Sequence, residues 1–314
     1  MFKRLKNILM NGIINVLKPA GMTSHDVVGS IRKLLSIKRI GHTGTLDPMA
    51  VGVLPICINS ATRMIEYLDA DSKKYRCEMQ LGIETDTQDI WGKVLNTTTV
   101  DVCNEDIIEA VAKFTGDILQ TPPNYSAVRV NGRRLYDYAR HGEAVEVKSR
   151  WIHINSIRII SMDLEKNRVL FDVESSKGTY IRTICTEVGR ILGCGAAMRF
   201  LVRTASGSFT LEDALTFEEI GELHQSGLLE TKLLSLDYPL GRFPSLGIKE
   251  DYRARSFIHG GPLDPNEVSC STGEGTIDDM QPYKVYYRDK FIAMARYDCE
   301  IEKINSEKVF CQEI

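Results

Sequence analysis

Between Tyr75 and Leu81 the apolar residues Tyr75, Cys77, Met79 and Leu81 alternate with Arg76, Glu78 and Gln80, the period-two pattern of a strand buried on one face. Other elements can be read around it. An apolar strand over 12–17 closes at the turn Lys18-Pro19-Ala20-Gly21, and an amphipathic helix over 25–36 starts behind the hydroxyls of Thr23 and Ser24. A helix over 105–114 and a strand near 168–175 follow, then a helical stripe from Ile181 to Leu192 that Gly193 stops. Strands and isolated helices succeed one another without the even spacing of βαβ units. The chain is therefore expected to be α+β, with a mixed, largely antiparallel sheet and flanking helices. Residues 124–150, rich in Arg and Tyr around Asn131-Gly132, read as a hairpin and short helix extending from the body. A linker near 240–247 divides a body, 1–240, from a small β-rich unit, 246–314, with strands expected at 283–287 and 291–297.

Composition narrows the function classes. With 314 residues, 43% of them hydrophobic and 26% charged, the chain suits one large or two unequal water-soluble domains. No apolar run approaches the eighteen or so residues of a membrane-spanning helix, so no membrane is expected as a partner. The basic start from Met1 to Met10 is broken by Asn11, Gly12 and Asn15 with no small-residue cleavage site after it, so the expected location is the cytoplasm. Eight scattered cysteines without a C-x-x-C pair read as reduced, often buried thiols. The histidines form no metal-binding spacing, and neither a phosphate-binding P-loop nor a dinucleotide-binding glycine motif is present. The expected cofactor is none.

Charge is unevenly distributed. Residues 1–210 hold 28 Lys and Arg against 22 Asp and Glu, whereas residues 211–314 hold 11 against 20. A basic N-terminal part points to a polyanion; uneven solvated charge is the bland alternative.

The loop Gly41-His42-Thr43-Gly44-Thr45-Leu46-Asp47-Pro48-Met49-Ala50 concentrates the chemistry. Pro48 steers Asp47 out of the helical region and two glycines allow a tight bend, so Asp47 is either a nucleophile or base, or part of a plain Asp-Pro turn. Arg182 falls in the first turn of its helix, where the dipole disfavours a cation, which points to a phosphate or carboxylate partner or to a solvated helix end. Tyr75, beside Lys73, Lys74 and Arg76, is either core or a platform on which an unpaired base stacks among phosphate contacts. Arg129, Arg133, Arg134 and Arg140 interleave with Tyr136, Tyr138 and His141, a nucleic-acid face or simply a solvated one.

In order along the chain, several motifs resemble those of the bacterial tRNA pseudouridine-55 synthase family. They are Lys18-Pro19-Ala20-Gly21-Met22-Thr23-Ser24-His25-Asp26, the stretch from Lys38 through Asp47 to Pro55, and Leu81-Gly82 through Thr85-Asp86-Thr87-Gln88-Asp89. Pro122-Pro123-Asn124-Tyr125-Ser126-Ala127, Gly132 through Arg140, and Lys177-Gly178-Thr179-Tyr180-Ile181-Arg182-Thr183 complete the set. The segment from about 246 is similar to a PUA domain, an RNA-binding module.

The resemblance implies a pseudouridine synthase fold with a C-terminal PUA-like domain, and conversion of the T-loop uridine at position 55 of tRNA to pseudouridine without a cofactor. It implies Asp47 as the reacting carboxylate, Tyr75 as the ring that stacks on the target base and Arg182 as the partner of the aspartate. Leu201 becomes an apolar pocket residue and His42 the residue that fills the space left by the flipped base. Lys18, Lys38, Arg39, Lys73, Lys74, Arg129, Arg133, Arg134, Arg140, Lys177 and Tyr180 are the remaining expected substrate contacts, with 124–150 as an RNA-clasping thumb. The expected partner is the T-arm of tRNA, met by a monomer with no obligate protein partner. The acidic excess of the C-terminal unit, including Glu274, Asp278, Asp279, Glu300, Glu302 and Glu307, points to peripheral contact or stability rather than a strong RNA grip. Assistance to tRNA folding, or a guide-RNA-dependent enzyme of the box H/ACA type, are the rival readings.

Overall fold

Alternation builds the centre of the molecule. In a computed structural model that describes residues 10–68, 72–271, 277–279, 281–311 and 313–314, the pattern seen from Tyr75 onward is a strand from Lys73 to Leu81 whose odd-numbered side chains are buried. The N-terminal extension 1–9 and Glu274 lie outside the described residues. In chain order the strands are β1 (Gly12–Lys18), β2 (Ile40–His42), β3 (Val51–Ile58), β4 (Lys73–Leu81), β5 (Ile83–Thr85), β6 (Val94–Thr97), β7 (Gly116–Gln120), β8 (Arg129–Val130) and β9 (Arg133–Arg134). They continue as β10 (Arg150–Asp163), β11 (Arg168–Ser175), β12 (Ala196–Ser206), β13 (Phe209–Thr210), β14 (Ser245–Ile248), β15 (Val268–Cys270), β16 (Pro282–Tyr287), β17 (Lys290–Asp298) and β18 (Lys303–Val309). The helices are α1 (Ser24–Leu35), α2 (Ile65–Leu68), α3 (Asn104–Ala112), α4 (Leu135–Arg140), α5 (Ile181–Leu192), α6 (Phe217–Ser226) and α7 (Asp251–Ile258).

The main sheet runs β1-β3-β12-β4-β11-β10-β7, with β2 added beside β3 and β13 beside β12. The β3–β12 pair is parallel and the other pairs are antiparallel, so the fold is α+β with a mixed, largely antiparallel sheet. The buried face of β4 and β11, with Cys77, Met79, Val169 and Phe171, packs against Ile107 and Val111 of α3 and Ile184 and Val188 of α5. Burying a large aliphatic side chain is worth about 1.5–3 kcal/mol, so this layer anchors α5 firmly on the sheet. Helix α1 begins behind Thr23, which exchanges hydrogen bonds with Asp26 in a capping box, and lays Val27, Val28, Ile31 and Leu35 on β1 and β3.

The insertion between β7 and β10 leaves and re-enters the sheet on one rung, Gln120 opposite Arg150, and contains the β8–β9 hairpin and α4. Beyond it a small second sheet, β15-β14-β16-β17-β18, wraps its own core of Leu246, Phe257, Val285, Ile292 and Ile304. This unit does not stand apart: Met294, Phe291 and Phe310 pack with Ile13, Val53 and Cys57 behind β1 and β3. Polar contacts close the seam, with Arg63 donating to the Val309 carbonyl at 2.7 Å, Tyr67 donating to Glu307 at 3.0 Å and Lys308 paired with Glu66. Glu307, counted above with the acidic excess, thus faces the rest of the protein.

Candidate active site

Asp47 is carried on the loop joining β2 to β3. The backbone turns through Gly44 in the left-handed region (φ 66°), where a side chain would meet Arg203 Nη1 at 3.0 Å, and the Ala50 N–H closes a turn onto the Asp47 carbonyl at 3.1 Å. Two anchors hold this loop. The Ser24 hydroxyl accepts from the Leu46 N–H at 2.9 Å, tying the loop to the start of α1. From the end of β1, the Lys18 ammonium donates to the carbonyls of Pro19 (2.8 Å), Pro48 (3.2 Å) and Ala50 (2.6 Å). Burial lowers the Lys18 pKa to about 8; the negative charge of Asp47 opposes this fall and the positive charge of Arg203 adds to it.

Arg182, the second residue of α5, faces Asp47 from across the cleft and is only 3% exposed. Its Nη2 donates to Asp47 Oδ1 at 3.0 Å and its Nε lies 2.8 Å from Oδ2, an ion pair closed by one hydrogen bond. The same guanidinium donates to the carbonyls of Thr87 and Tyr125, each at 2.9 Å, and lies 3.8 Å from Asp89 Oδ2. Acceptors from three loops therefore offset the unfavourable helix dipole and the desolvation of a buried cation. Asp89 is held in turn by the Thr87 hydroxyl (2.8 Å) and the Trp91 N–H (3.1 Å); burial raises its pKa, against the Thr87 hydrogen bond and the Arg182 charge. Asp47 itself keeps 31% of its side chain open to solvent. A carboxylate fixed from behind and open in front can reach a ligand without losing its orientation.

The floor of the cleft comes from two adjacent strands. Tyr75 of β4 and Arg203 of β12 are directly opposite each other in register, and Leu201 lies opposite Cys77 on the same pair. Burial pushes the Tyr75 hydroxyl pKa up, while the charge and hydrogen bond of the Arg203 guanidinium pull it back. Leu201 is buried in the main core. His42 is half-buried at the end of β2, paired with Ile56. Tyr180 precedes α5; Gln120 grips its backbone from both sides, at 2.8 and 3.1 Å, and Arg150 lies over its ring at 5.2 Å.

The expected substrate contacts divide sharply. Lys38, Arg39, Arg129, Arg134, Arg140 and Lys177 are exposed, as is Lys74, which pairs with Glu174 at 3.3 Å on the solvated face of the sheet. Arg133 is half-buried: it pairs with Glu143 at 2.9 Å and lies over the Tyr138 ring at 4.5 Å, bracing the insertion from within. Lys18 and Lys73, expected at the RNA surface, are instead buried, and their ammonium groups are not presented to solvent. Lys73 shares the inward face of β4 with Tyr75 and runs beneath Gly44, where its Cε lies 3.1 Å from the place a side chain would occupy. Lys18 thus holds loop carbonyls, and the stem of Lys73 lies under the same loop.

Two residues of the site, Asp89 and Arg203, escaped a reading of the sequence by residue. Asp89 belongs to the Thr85-Asp86-Thr87-Gln88-Asp89 motif, but nothing local shows that this loop folds back onto Arg182. An arginine on β12 gives no sign of facing inward until the register is known. Among the described residues, no cluster of His, Cys, Asp and Glu is suited to hold a metal ion, and no helix is long and apolar enough to cross a membrane.

Residues 32–181 match the model of the TruB family pseudouridylate synthase N-terminal domain, and residues 182–240 match that of the tRNA pseudouridylate synthase B C-terminal domain. A protein of Alkaliphilus oremlandii named tRNA pseudouridine synthase B is 48% identical over 257 residues, which is 82% of this chain and 84% of the relative. Another so named, from Clostridioides difficile, is 42% identical over 317 residues, 96% of this chain and all of the relative. Among solved structures, a chain of a Cbf5-Nop10-Gar1 complex superposes with a TM-score of 0.75 at 26% identity, covering 98% of this chain and 87% of that one. A chain of an H/ACA RNP bound to a substrate RNA containing 2'-deoxyuridine gives a TM-score of 0.74 at 26% identity, covering 98% and 87%.

Proposed function

The chain belongs to the TruB family of pseudouridine synthases, tRNA-modifying isomerases, and from that premise we propose that it converts uridine 55 of the tRNA T-loop to pseudouridine through Asp47. The observation that carries the role of Asp47 is its ion pair and hydrogen bond with a buried arginine while about a third of its side chain stays open. The reaction moves the ribose attachment of the base from nitrogen to carbon within one nucleotide. Nothing is oxidised or reduced, and no cofactor enters the balance.

A T-loop uridine is stacked within folded tRNA, so reaching Asp47 costs a few kcal/mol of unstacking. Stacking on Tyr75, worth about 1–3 kcal/mol, offsets much of this, with Leu201 as the apolar wall and His42 filling the vacated place in the RNA. Asp47 then attacks C1′, deprotonates C2′ after the glycosidic bond opens, or adds to C6. Each route needs an oriented carboxylate, and the contacts with Arg182 supply the orientation. The exposed cations Lys38, Arg39, Lys74, Lys177, Arg129, Arg134 and Arg140 meet the RNA backbone, with 124–150 as the clasp. Within this reading, residues 1–240 are the catalytic unit and 246–314 a PUA-like unit that braces it, and the protein works as a monomer with no protein partner.

The test is tritium release from C5-labelled uridine in an unmodified tRNA transcript, with purified protein alone. Wild type should turn over, whereas Asp47→Asn, close in shape but without the anionic carboxylate, should bind tRNA within several-fold of wild type and release no tritium. Turnover above about a tenth of wild type in Asp47→Asn would reject the assignment. Wild-type protein that stays inactive alone would favour a partner-dependent enzyme.

A further inference from the structure

Arg203 has the largest of the fully buried side chains, and the role proposed above for Asp47 and Tyr75 gives it nothing to do. Taking a guanidinium wholly out of water costs several kcal/mol unless its surroundings repay it, so its contacts need a reason. Three of them converge on the cleft. Its Nε donates to the Val53 carbonyl of β3 at 2.7 Å. Its Nη1 lies 3.0 Å from where a side chain on Gly44 would project, so the catalytic loop rests on it. Its positive head is also close enough to the Tyr75 hydroxyl, on the neighbouring rung, to oppose the rise in pKa that burial causes there.

The backbone is built around the same residue. Arg203 is the register partner of Tyr75 on one side and of Gly52 on the other. A side chain at Gly52 would come within 2.2 Å of the Arg203 carbonyl, so the strand that leaves the catalytic loop approaches β12 as closely as only glycine permits. The charged groups around the Tyr75 hydroxyl and this guanidinium are Asp47 on the loop, Lys18 on β1 and Lys73 on β4.

We propose that Arg203 is a positioning residue of the reaction, a single rigid fork that sets the Tyr75 ring and the Asp47 loop at a fixed height relative to each other. The proposal rests on the roles given above to Asp47 and Tyr75. It goes further in making the spacing between base platform and carboxylate depend on one side chain that touches neither substrate nor the Asp47–Arg182 pair. Lysine could replace the charge but not the planar fork, which reaches strand, loop and ring together.

Arg203→Lys and Arg203→Met are compared with wild type in single-turnover rate and in tRNA affinity. In the same proteins 3-fluorotyrosine at position 75 alone reports the ring by fluorine resonance. Arg203→Lys should cut the single-turnover rate at least tenfold while leaving tRNA Kd within threefold, and should move the fluorine resonance. Arg203→Met should also raise the pH midpoint of that resonance, because the positive charge beside the hydroxyl is lost. A rate within twofold of wild type, a loss expressed wholly in Kd, or an unmoved resonance in folded Arg203→Lys would overturn the proposal. If Arg203→Met fails to fold, Arg203→Lys, which keeps the buried charge, decides alone. An active Asp47→Asn would sink the reading beneath the proposal but leave the fluorine result standing, so the two failures can be told apart.

Discussion

Two sets of basic side chains occupy the N-terminal part of the molecule, and they differ in what surrounds them. Around the Asp47 loop, Lys18, Lys73, Arg182 and Arg203 are buried, and among their neighbours are carbonyls, a carboxylate and a phenol. On the insertion, Arg129, Arg134 and Arg140 face water, with Arg134 and Arg140 at 5.7 and 5.3 Å from the Tyr136 ring. The first set is committed before any RNA arrives. The second keeps charge available to a polyanion, with two of its guanidinium heads lying over the face of one tyrosine ring. An excess of positive charge in sequence therefore counts two unrelated things, cations that brace a site and cations left open to solvent.

The sharpest way to break this contrast is to treat a buried cation as if it were a surface one. Lys18→Met removes a donor to three loop carbonyls and should lower stability by about 2–4 kcal/mol, read as a lower denaturation midpoint, while tRNA affinity at a temperature where both proteins are folded stays within twofold. The pH dependence has a definite sign. With its folded pKa lowered to about 8 from the ordinary 10.5, Lys18 binds fewer protons folded than unfolded between those values, so its contribution to stability rises with pH across that window. The gap in stability between wild type and Lys18→Met should widen from pH 8 towards pH 10. A gap that narrows would mean that the ammonium, rather than the amine, is the form the fold prefers.

Tyr75→Ala should weaken tRNA binding by about 1–3 kcal/mol through loss of the base platform, whereas Tyr75→Phe should bind as wild type, measured by filter retention of labelled tRNA. A larger binding defect in Phe than in Ala would overturn the stacking role. Normal binding with failed turnover in Phe would assign the hydroxyl a part in proton transfer. On the exposed side, reversing Arg133 and Arg134 to Glu should weaken binding to every tRNA alike. It should also flatten the plot of log affinity against log salt by about one to two contacts, each worth about 0.7–0.9 in slope. Because Arg133 also braces the insertion, Arg134→Glu alone should account for about one contact. The smallest effect is expected for Lys74→Ala, which breaks an exposed ion pair with Glu174 and should change stability by no more than about 1 kcal/mol.

The sequence was most legible where a pattern repeats. The alternation in β4 and the stripe of α5 end close to where they were read, and the Asp-Pro loop is the one that bears the partly open carboxylate. The period of two also places Lys73: if Tyr75 points inward then so does Lys73, and only Lys74 and Arg76 can face solvent. Lys18 and Arg203 could not be placed in that way. Their burial is decided by strands that neighbour each other in space and by loop carbonyls about thirty residues or more away, which no local pattern encodes.

The shared packing behind β1 and β3 changes what it means to call the small second sheet an appendage. Cutting the chain near residue 240 would strip Met294, Phe291 and Phe310 from Ile13, Val53 and Cys57 and leave the rear of those two strands facing water. β1 ends at Lys18 and β3 receives the chain from the Asp47 loop, so the wetted surface would lie on the reverse of the strands that frame the loop. A replacement for this tail would have to bring its own greasy plug for the rear of β1 and β3, whatever it shows to water.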